Sequence, residues 1–228
     1  ANFAILSKSK EVWLAGRELE AQKAQTERLL FNVLPEAVAE RLRKGDTVAD
    51  AFSEVSVIFV DLVGFSKLSR TLSPRHLVEI LNSFFLIADK CAGQLGIEKV
   101  KTIGDAYLAV AGATLSHANC AADAIRFGQT ILTDLEKAQE TLGIELQVRI
   151  GIHTGAVVGG VIGSARMAYD YWGDTVNLAS RIQTAADPNS VLVSESTFYR
   201  AQNEISFAPP RIELLKGIGE TKVYPVVA

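Results

Sequence analysis

Two acids in this chain follow apolar runs. Asp61 closes Val57-Ile58-Phe59-Val60 and is followed by Leu62-Val63-Gly64-Phe65-Ser66. Asp105 stands in Glu98-Lys99-Val100-Lys101-Thr102-Ile103-Gly104-Asp105-Ala106-Tyr107. Either alone reads as a strand-end or turn acid, because Gly-Asp is an ordinary turn dipeptide. Together they read differently, since each follows a run expected to form a central strand, where a solvated loop acid is out of place. Two strands delivering two carboxylates to one sheet edge make a hard-oxygen site suited to magnesium and a polyphosphate. Gly64 adds a weak signal: a glycine between strand and helix lets backbone amides approach phosphate. Asn177 and Arg181, four apart, share one face of a helix beginning near Thr175, which by itself describes a common surface pair. Lys101 reads as an edge-strand lysine and Lys216 as a turn lysine. His153, a lone histidine between two expected strands, is assigned no role, and Cys91 is read likewise as structural.

The elements that must hold these residues follow from pattern. Lys8 to about Lys44 is rich in Glu, Gln, Lys, Arg, Ala and Leu, which favours helix. Val12, Leu19, Thr26 and Val33 recur every seven residues, with Ala15, Gln22 and Leu29 three positions after the first three. This is either a coiled-coil seam weakened at Gln22 and Thr26 or a solvated amphipathic helix on its own domain. Pro35 suits the first turn of a second helix carrying Val38 and Leu42, ended by Gly45-Asp46. From Glu54 onward strands and helices alternate. The expected order is a strand at Val55 to Val60, a helix at Pro74 to Cys91 and a hairpin of Glu98 to Ile103 with Ala106 to Ala111. A helix capped by Ser116 and running to about Thr141 comes next, then strands Glu145 to Ile152 and Val157 to Ile162 joined through Thr154-Gly155. A helix from Thr175 to Ala186, stopping before Pro188, precedes a strand at Val191 to Val193, a short helix near Ser194 to Ala201, and strands near Ile212 to Leu214 and Lys222 to Val227. The pattern predicts an α+β ferredoxin-like sandwich preceded by an N-terminal helix, with a helical linker over 1–47 and the main domain over 48–228.

Composition narrows the partner. The 228 residues are 48% hydrophobic with a formal charge of −3, enough for a large core and without the clustered Lys and Arg that nucleic acid or a polybasic membrane surface demands. The two cysteines, Cys91 and Cys120, lie far apart without CxxC spacing, so neither zinc nor a disulfide scaffold is expected and a cytoplasmic setting fits. No apolar run approaches the ~20 residues of a membrane helix. The start at Ala1, without Met, is expected of a piece of a longer protein carrying an upstream sensor or membrane domain, this part then lying on the cytosolic side.

Four runs carry a family resemblance: Asp61 to Ser66, Lys101 to Tyr107, Arg149-Ile150-Gly151-Ile152-His153-Thr154-Gly155, and Tyr169-Asp170-Tyr171-Trp172-Gly173-Asp174-Thr175-Val176-Asn177-Leu178-Ala179-Ser180-Arg181. In this order, over roughly Val55 to the C-terminus, they resemble the catalytic domain of class III nucleotidyl cyclases. The resemblance implies that Asp61 and Asp105, with the Leu62 carbonyl, hold two Mg2+ or Mn2+ ions per site. It implies that the turn at Gly64 cradles a triphosphate, Phe65 flanks the nucleotide, and Arg149 and Lys216 meet phosphates. Asn177 would orient the ribose and Arg181 stabilise charge on the α-phosphate, a role suited to a guanidinium that stays cationic. Lys101 and Asp170 match the base-reading positions of adenylyl cyclases, where guanylyl cyclases carry Glu and often a smaller residue. The implied activity is conversion of ATP to 3′,5′-cyclic AMP and pyrophosphate, at sites shared between the protomers of a homodimer, with a leucine-proline helix of the N-terminal kind joining an upstream element. A guanylyl cyclase is the nearest alternative, and a catalytically silent nucleotide-sensing module is another. A diguanylate cyclase is disfavoured, since Ile103-Gly104-Asp105-Ala106 stands where its Gly-Gly-acid-Glu-Phe hairpin would be.

Overall fold

The computed structural model describes residues 13–14, 16–20, 22–23, 36–142, 145–163 and 168–227. Two compact units form, one of Ala1–Ala49 with Gly159–Asp170 and the other of Asp50–Val158 with Tyr171–Ala228.

In the first unit the described residues between 13 and 23 are helical and exposed, with the Arg17 guanidinium 5.2 Å from the Trp13 ring centroid. Leu19 and Gln22 lie on these turns, whereas Val12, Ala15, Thr26, Leu29, Val33 and Pro35 fall outside the described residues. Helix α1 (Glu36–Arg43) buries Val38 and Ala39 and ends at Gly45, whose φ of 83° is a left-handed stop. The Val161 amide donates to the Val48 carbonyl at 3.2 Å.

The described strands form an eight-stranded sheet. Its strands are β1 (Ala49–Leu62), β2 (Glu98–Ile103), β3 (Ala106–Ala111), β4 (Val148–Ile162), β5 (Ala168–Trp172), β6 (Ser190–Ser194), β7 (Arg211–Leu215) and β8 (Gly219–Pro225). They lie in the order β2-β3-β1-β4-β6-β8-β7, with β5 paired to β4. The helices are α2 (Phe65–Thr71), α3 (Pro74–Leu95), α4 (Cys120–Leu142), α5 (Asp174–Ala185) and α6 (Glu195–Ala201). The run β1-α3-β2-β3-α4-β4 is the expected ferredoxin-like sandwich, because β1 and β4 are central neighbours and the β2-β3 hairpin flanks β1.

Strand alternation sorts the core into two layers. Ile58, Val60 and Leu62 of β1, Ile150 and Ile152 of β4, and Val191 and Val193 of β6 join α3 and α4 in the main cluster, around Phe84, Ile125 and Phe127. Leu192 turns the other way and packs with Ile182 and Ala186 of α5 beside Leu215 and Val223.

Five expectations are corrected. β4 is one strand of fifteen residues, because Thr154-Gly155 is not a turn: a Cβ on Gly155 would lie 2.7 Å from Thr175 Oγ1. β2, expected to be a central strand ahead of Asp105, is the edge strand of the sheet; β5 and α2 were not expected. Helix α4 begins at Cys120, and Asn119 rather than Ser116 caps it, its side-chain oxygen accepting from the Ala122 amide at 3.2 Å. α3 runs on to Leu95 and stops at Gly96, φ 67°.

Candidate active site

β1 pairs with β3 so that Asp61 stands opposite Ala106, and β3 pairs with β2 so that Ala106 faces Ile103. Gly104-Asp105 is therefore a two-residue hairpin turn beside the end of β1. Gly104 has φ 64° while Asp105 does not take a positive φ, the demand of a turn with glycine in its first central position. The two acids thus come together at one sheet edge.

Alternation along β1 puts Asp61 on the face opposite Ile58, Val60 and Leu62, which is the face covered by α5. There the Gln183 amide nitrogen donates to Asp61 Oδ2 at 3.3 Å. Burial pushes the Asp61 carboxyl above its usual range and the charge on Asp105 pushes it further. The Gln183 amide, the Arg149 guanidinium and the Leu62 backbone N–H offset this only in part. Arg149 lies on the same face of β4, and its Nε is buried without a hydrogen-bond partner in the protein. Two mutually repelling carboxylates beside an incompletely paired guanidinium form a site that favours a cation on one side and an anion on the other.

The donor set fits a divalent cation. Among the described residues no group of three or more His, Cys, Asp or Glu forms a closed cage. Two carboxylates suit an ion such as magnesium, which keeps several waters and takes further oxygens from substrate phosphate. Leu62 is buried, with its side chain in the main core. Phe65 opens α2 behind Gly64, whose φ is 73°, and is half-buried against the main core.

A second group of candidate residues lines a cleft of about 600 Å³. Asn177 and Arg181 project from the exposed face of α5, and Lys216 comes from the β7-β8 turn. Neither Asp61, Asp105 nor Arg149 lines this cleft. Lys101 is exposed on edge strand β2, just past a bulge between Lys99 and Lys101 that shifts the register against β3. Bulges re-aim side chains at sheet edges. Behind it, Lys99 and the Tyr107 hydroxyl both bond Asp89 of α3 at 2.8 Å, bracing the hairpin. Asp170 is half-buried on β5, in the first unit.

His153 also lines the cleft. Its Nδ1 lies 2.7 Å from Ser194 Oγ, and a chain of buried hydroxyls continues through Thr197 and Thr154 to Ser56, each step between 2.7 and 3.0 Å. Burial, with the positive charge of Arg200, pushes the imidazole down to about 4, so it is neutral at neutral pH. The signal missed for Gln183 is the pair Gly151 and Gly155, four residues apart on one face of β4. A Cβ on Gly151 would lie 2.1 Å from the Gln183 backbone nitrogen, and one on Gly155 would crowd Thr175. Eight helical residues and four strand residues both span about 12 to 13 Å, so the two glycines let α5 lie directly on β4.

The ferredoxin-like sheet carries paired acids at a strand end and an Asn/Arg helix face, and residues 47–228 match the adenylate and guanylate cyclase catalytic domain family. The chain belongs to that family. It is 34% identical to an adenylate cyclase of Mycobacterium tuberculosis over 205 residues, 85% of this chain and 46% of that protein. To guanylate cyclase 32E of Drosophila melanogaster it is 35% identical over 216 residues, 90% of this chain and 18% of that one. The chain therefore spans less than half the length of these relatives. Among solved structures it is similar to the guanylate cyclase domain of RhGC from Catenaria anguillulae in complex with GTP, with a TM-score of 0.75, 31% identity, and coverage of 78% of this chain and 98% of that one.

Proposed function

We propose that this chain is an adenylyl cyclase, converting ATP to 3′,5′-cyclic AMP and pyrophosphate at sites shared between two copies of the chain. The observation that supports a shared site is that Asn177, Arg181 and Lys216 line a cleft that neither Asp61 nor Asp105 lines. A second copy supplies each half with its complement, and a symmetric dimer then has two equivalent sites. Residues 1–47 serve as a linker and 48–228 as the catalytic domain, on the cytosolic side.

Asp61, Asp105 and the Leu62 carbonyl hold the divalent cations, two per site, as Mg2+ or Mn2+. When bound, these ions neutralise triphosphate charge and raise the acidity of the attacking hydroxyl. The chain's own residues do the rest by positioning and charge. Asn177 orients the ribose so that its 3′-oxygen lines up with the α-phosphorus. Arg181 receives the negative charge that grows on the α-phosphate as the new P–O bond forms. Lys216 and Arg149 attract the departing pyrophosphate, and Phe65 borders the nucleotide. Lys101 and Asp170 meet the base, with the Asp170 carboxylate accepting from the adenine amino group.

The choice of ATP rests on Lys101 and Asp170. A GTP reading is favoured by the guanylate cyclases among the relatives, and a site built to satisfy polar base edges separates the two because the wrong base leaves buried groups unpaired. Incubating the chain with equimolar ATP and GTP and magnesium or manganese, then separating products by chromatography, decides. Cyclic AMP as the main product supports the proposal. Mainly cyclic GMP overturns the base assignment, and no cyclic product overturns the activity in favour of a nucleotide-sensing role.

A further inference from the structure

Gln183 has no part in the chemistry just described, yet it is the side chain that touches the Asp61 carboxylate. It is 7% exposed, and its amide nitrogen is 3.3 Å from Asp61 Oδ2. Its position is held on both sides. The backbone of Gly151 lies directly beneath the Gln183 backbone, with no room for a Cβ, and the adjacent Ile182 packs with Leu192, Leu215 and Val223.

A neutral donor is the informative choice here. A lysine or arginine at this place would neutralise Asp61 and compete with a cation for it. A glutamate would add a third negative charge beside Asp61 and Asp105. An amide fixes one carboxylate oxygen and the plane of the group, and it leaves both the charge and Oδ1 available. Donors of this kind behind a ligating carboxylate orient it and tune its affinity.

We propose that Gln183 is a positioning residue: its amide holds the Asp61 carboxylate in the orientation that receives a divalent cation and fixes that carboxylate to the helix carrying Asn177 and Arg181. This rests on the reading of Asp61 as a cation ligand. Gln183 does not line the Asn177/Arg181 cleft, and the group its amide bonds is Asp61.

Mn2+ binding to the full chain, followed by the electron paramagnetic resonance signal of the free ion, tests this without turnover. Four proteins are compared: the unsubstituted chain, Asp61→Asn, Gln183→Met, which keeps the volume and removes the donor, and Gln183→Asn, which keeps the amide but falls short of Asp61. Both Gln183 variants are expected to lose about 10- to 100-fold in Mn2+ affinity, with unchanged circular dichroism, and Asp61→Asn to lose more. In turnover assays they should need correspondingly more Mn2+ for half-saturation while keeping most of the rate at saturating Mn2+. Gln183 variants that bind Mn2+ as the unsubstituted chain does, while Asp61→Asn does not, overturn this proposal alone. So does a loss of saturating rate with an unmoved half-saturation, which marks packing only. Mn2+ binding that Asp61→Asn leaves intact, or none by the unsubstituted chain, overturns the cation reading and this proposal with it.

Discussion

Replacing Gly151 with alanine is a one-methyl perturbation with a large expected consequence. The new Cβ would stand 2.1 Å from the Gln183 nitrogen, 2.4 Å from its Cα and 2.6 Å from its Cβ. Two of these atoms are backbone, so no flexible side chain can swing aside. Ordinary contact requires α5 to retreat from β4 by more than 1 Å, or β4 to bend. Overpacking of this kind costs about 1 to 3 kcal/mol, which for a chain of this size lowers the melting temperature by roughly 2 to 10 °C. The functional effect should exceed the structural one. α5 carries Asn177 and Arg181 on its exposed face and Gln183 against Asp61 on its buried face, and a 1 Å displacement of such groups costs about 100-fold in rate. Turnover at saturating ATP and metal, measured well below the melting transition, isolates this loss from unfolding. Gly93→Ala in α3, where a Cβ meets nothing within 4 Å, is the control and should leave the rate unchanged while gaining some helix propensity. Wild-type turnover and melting in Gly151→Ala would refute the tight seating of α5 as the device that positions the site.

Three other outcomes follow from the same geometry. His153 is held at about 4 against an ordinary 6.5; between these values the unfolded chain takes up a proton that the folded chain refuses. The contribution is therefore complete above pH 6.5 and lost as pH falls toward 4, by up to about 3 kcal/mol; urea unfolding across this range should show the slope, and His153→Asn should flatten it. Asp61 has the opposite sign, because its raised pKa makes ionisation costly in the fold, so metal-free Asp61→Asn should melt higher than the parent at neutral pH while losing cyclisation; a lower melting temperature contradicts the burial argument. Lys101→Glu with Asp170→Cys should shift the ATP to GTP turnover ratio toward GTP by reversing hydrogen-bond polarity at the base, and an unchanged ratio means that the base is read elsewhere.

The legible parts of this molecule were those in which chemistry and local conformation coincide. Gly104-Asp105 announced both a hairpin and an acid, and the hydrophobic face of α3 was written in its spacing, with Ile80, Phe84 and Ala88 buried. Glycine misled where its purpose was room rather than a turn. Gly155 suggested a break in what is a single strand, since nothing local shows that Thr175 lies over it. Gln183 stayed hidden for a related reason: a helix glutamine is unremarkable until packing brings Asp61 to it. The bulge ahead of Lys101 likewise arises from pairing with β3, a partner that β2's own residues do not specify. Asp61 and Asp105 stand out in the sequence because an acid closing a strand is costly, whereas Asn177 and Arg181 are singled out only by the family resemblance, since alone they read as a surface pair.

The central claim is that one chain carries two complementary half-sites, and mixing two defective variants tests it most directly. Asp61→Ala lacks the metal half and Arg181→Ala the transition-state half, so each alone should be nearly inactive. A mixed dimer gathers both lesions into one site and leaves the other whole. With random exchange at equal amounts about half the dimers are mixed, each with one working site of two, so activity should recover to about a quarter of the unsubstituted chain. No recovery, despite subunit exchange demonstrated by mass measurement of differently tagged chains, would place the whole site within a single chain and contradict the account.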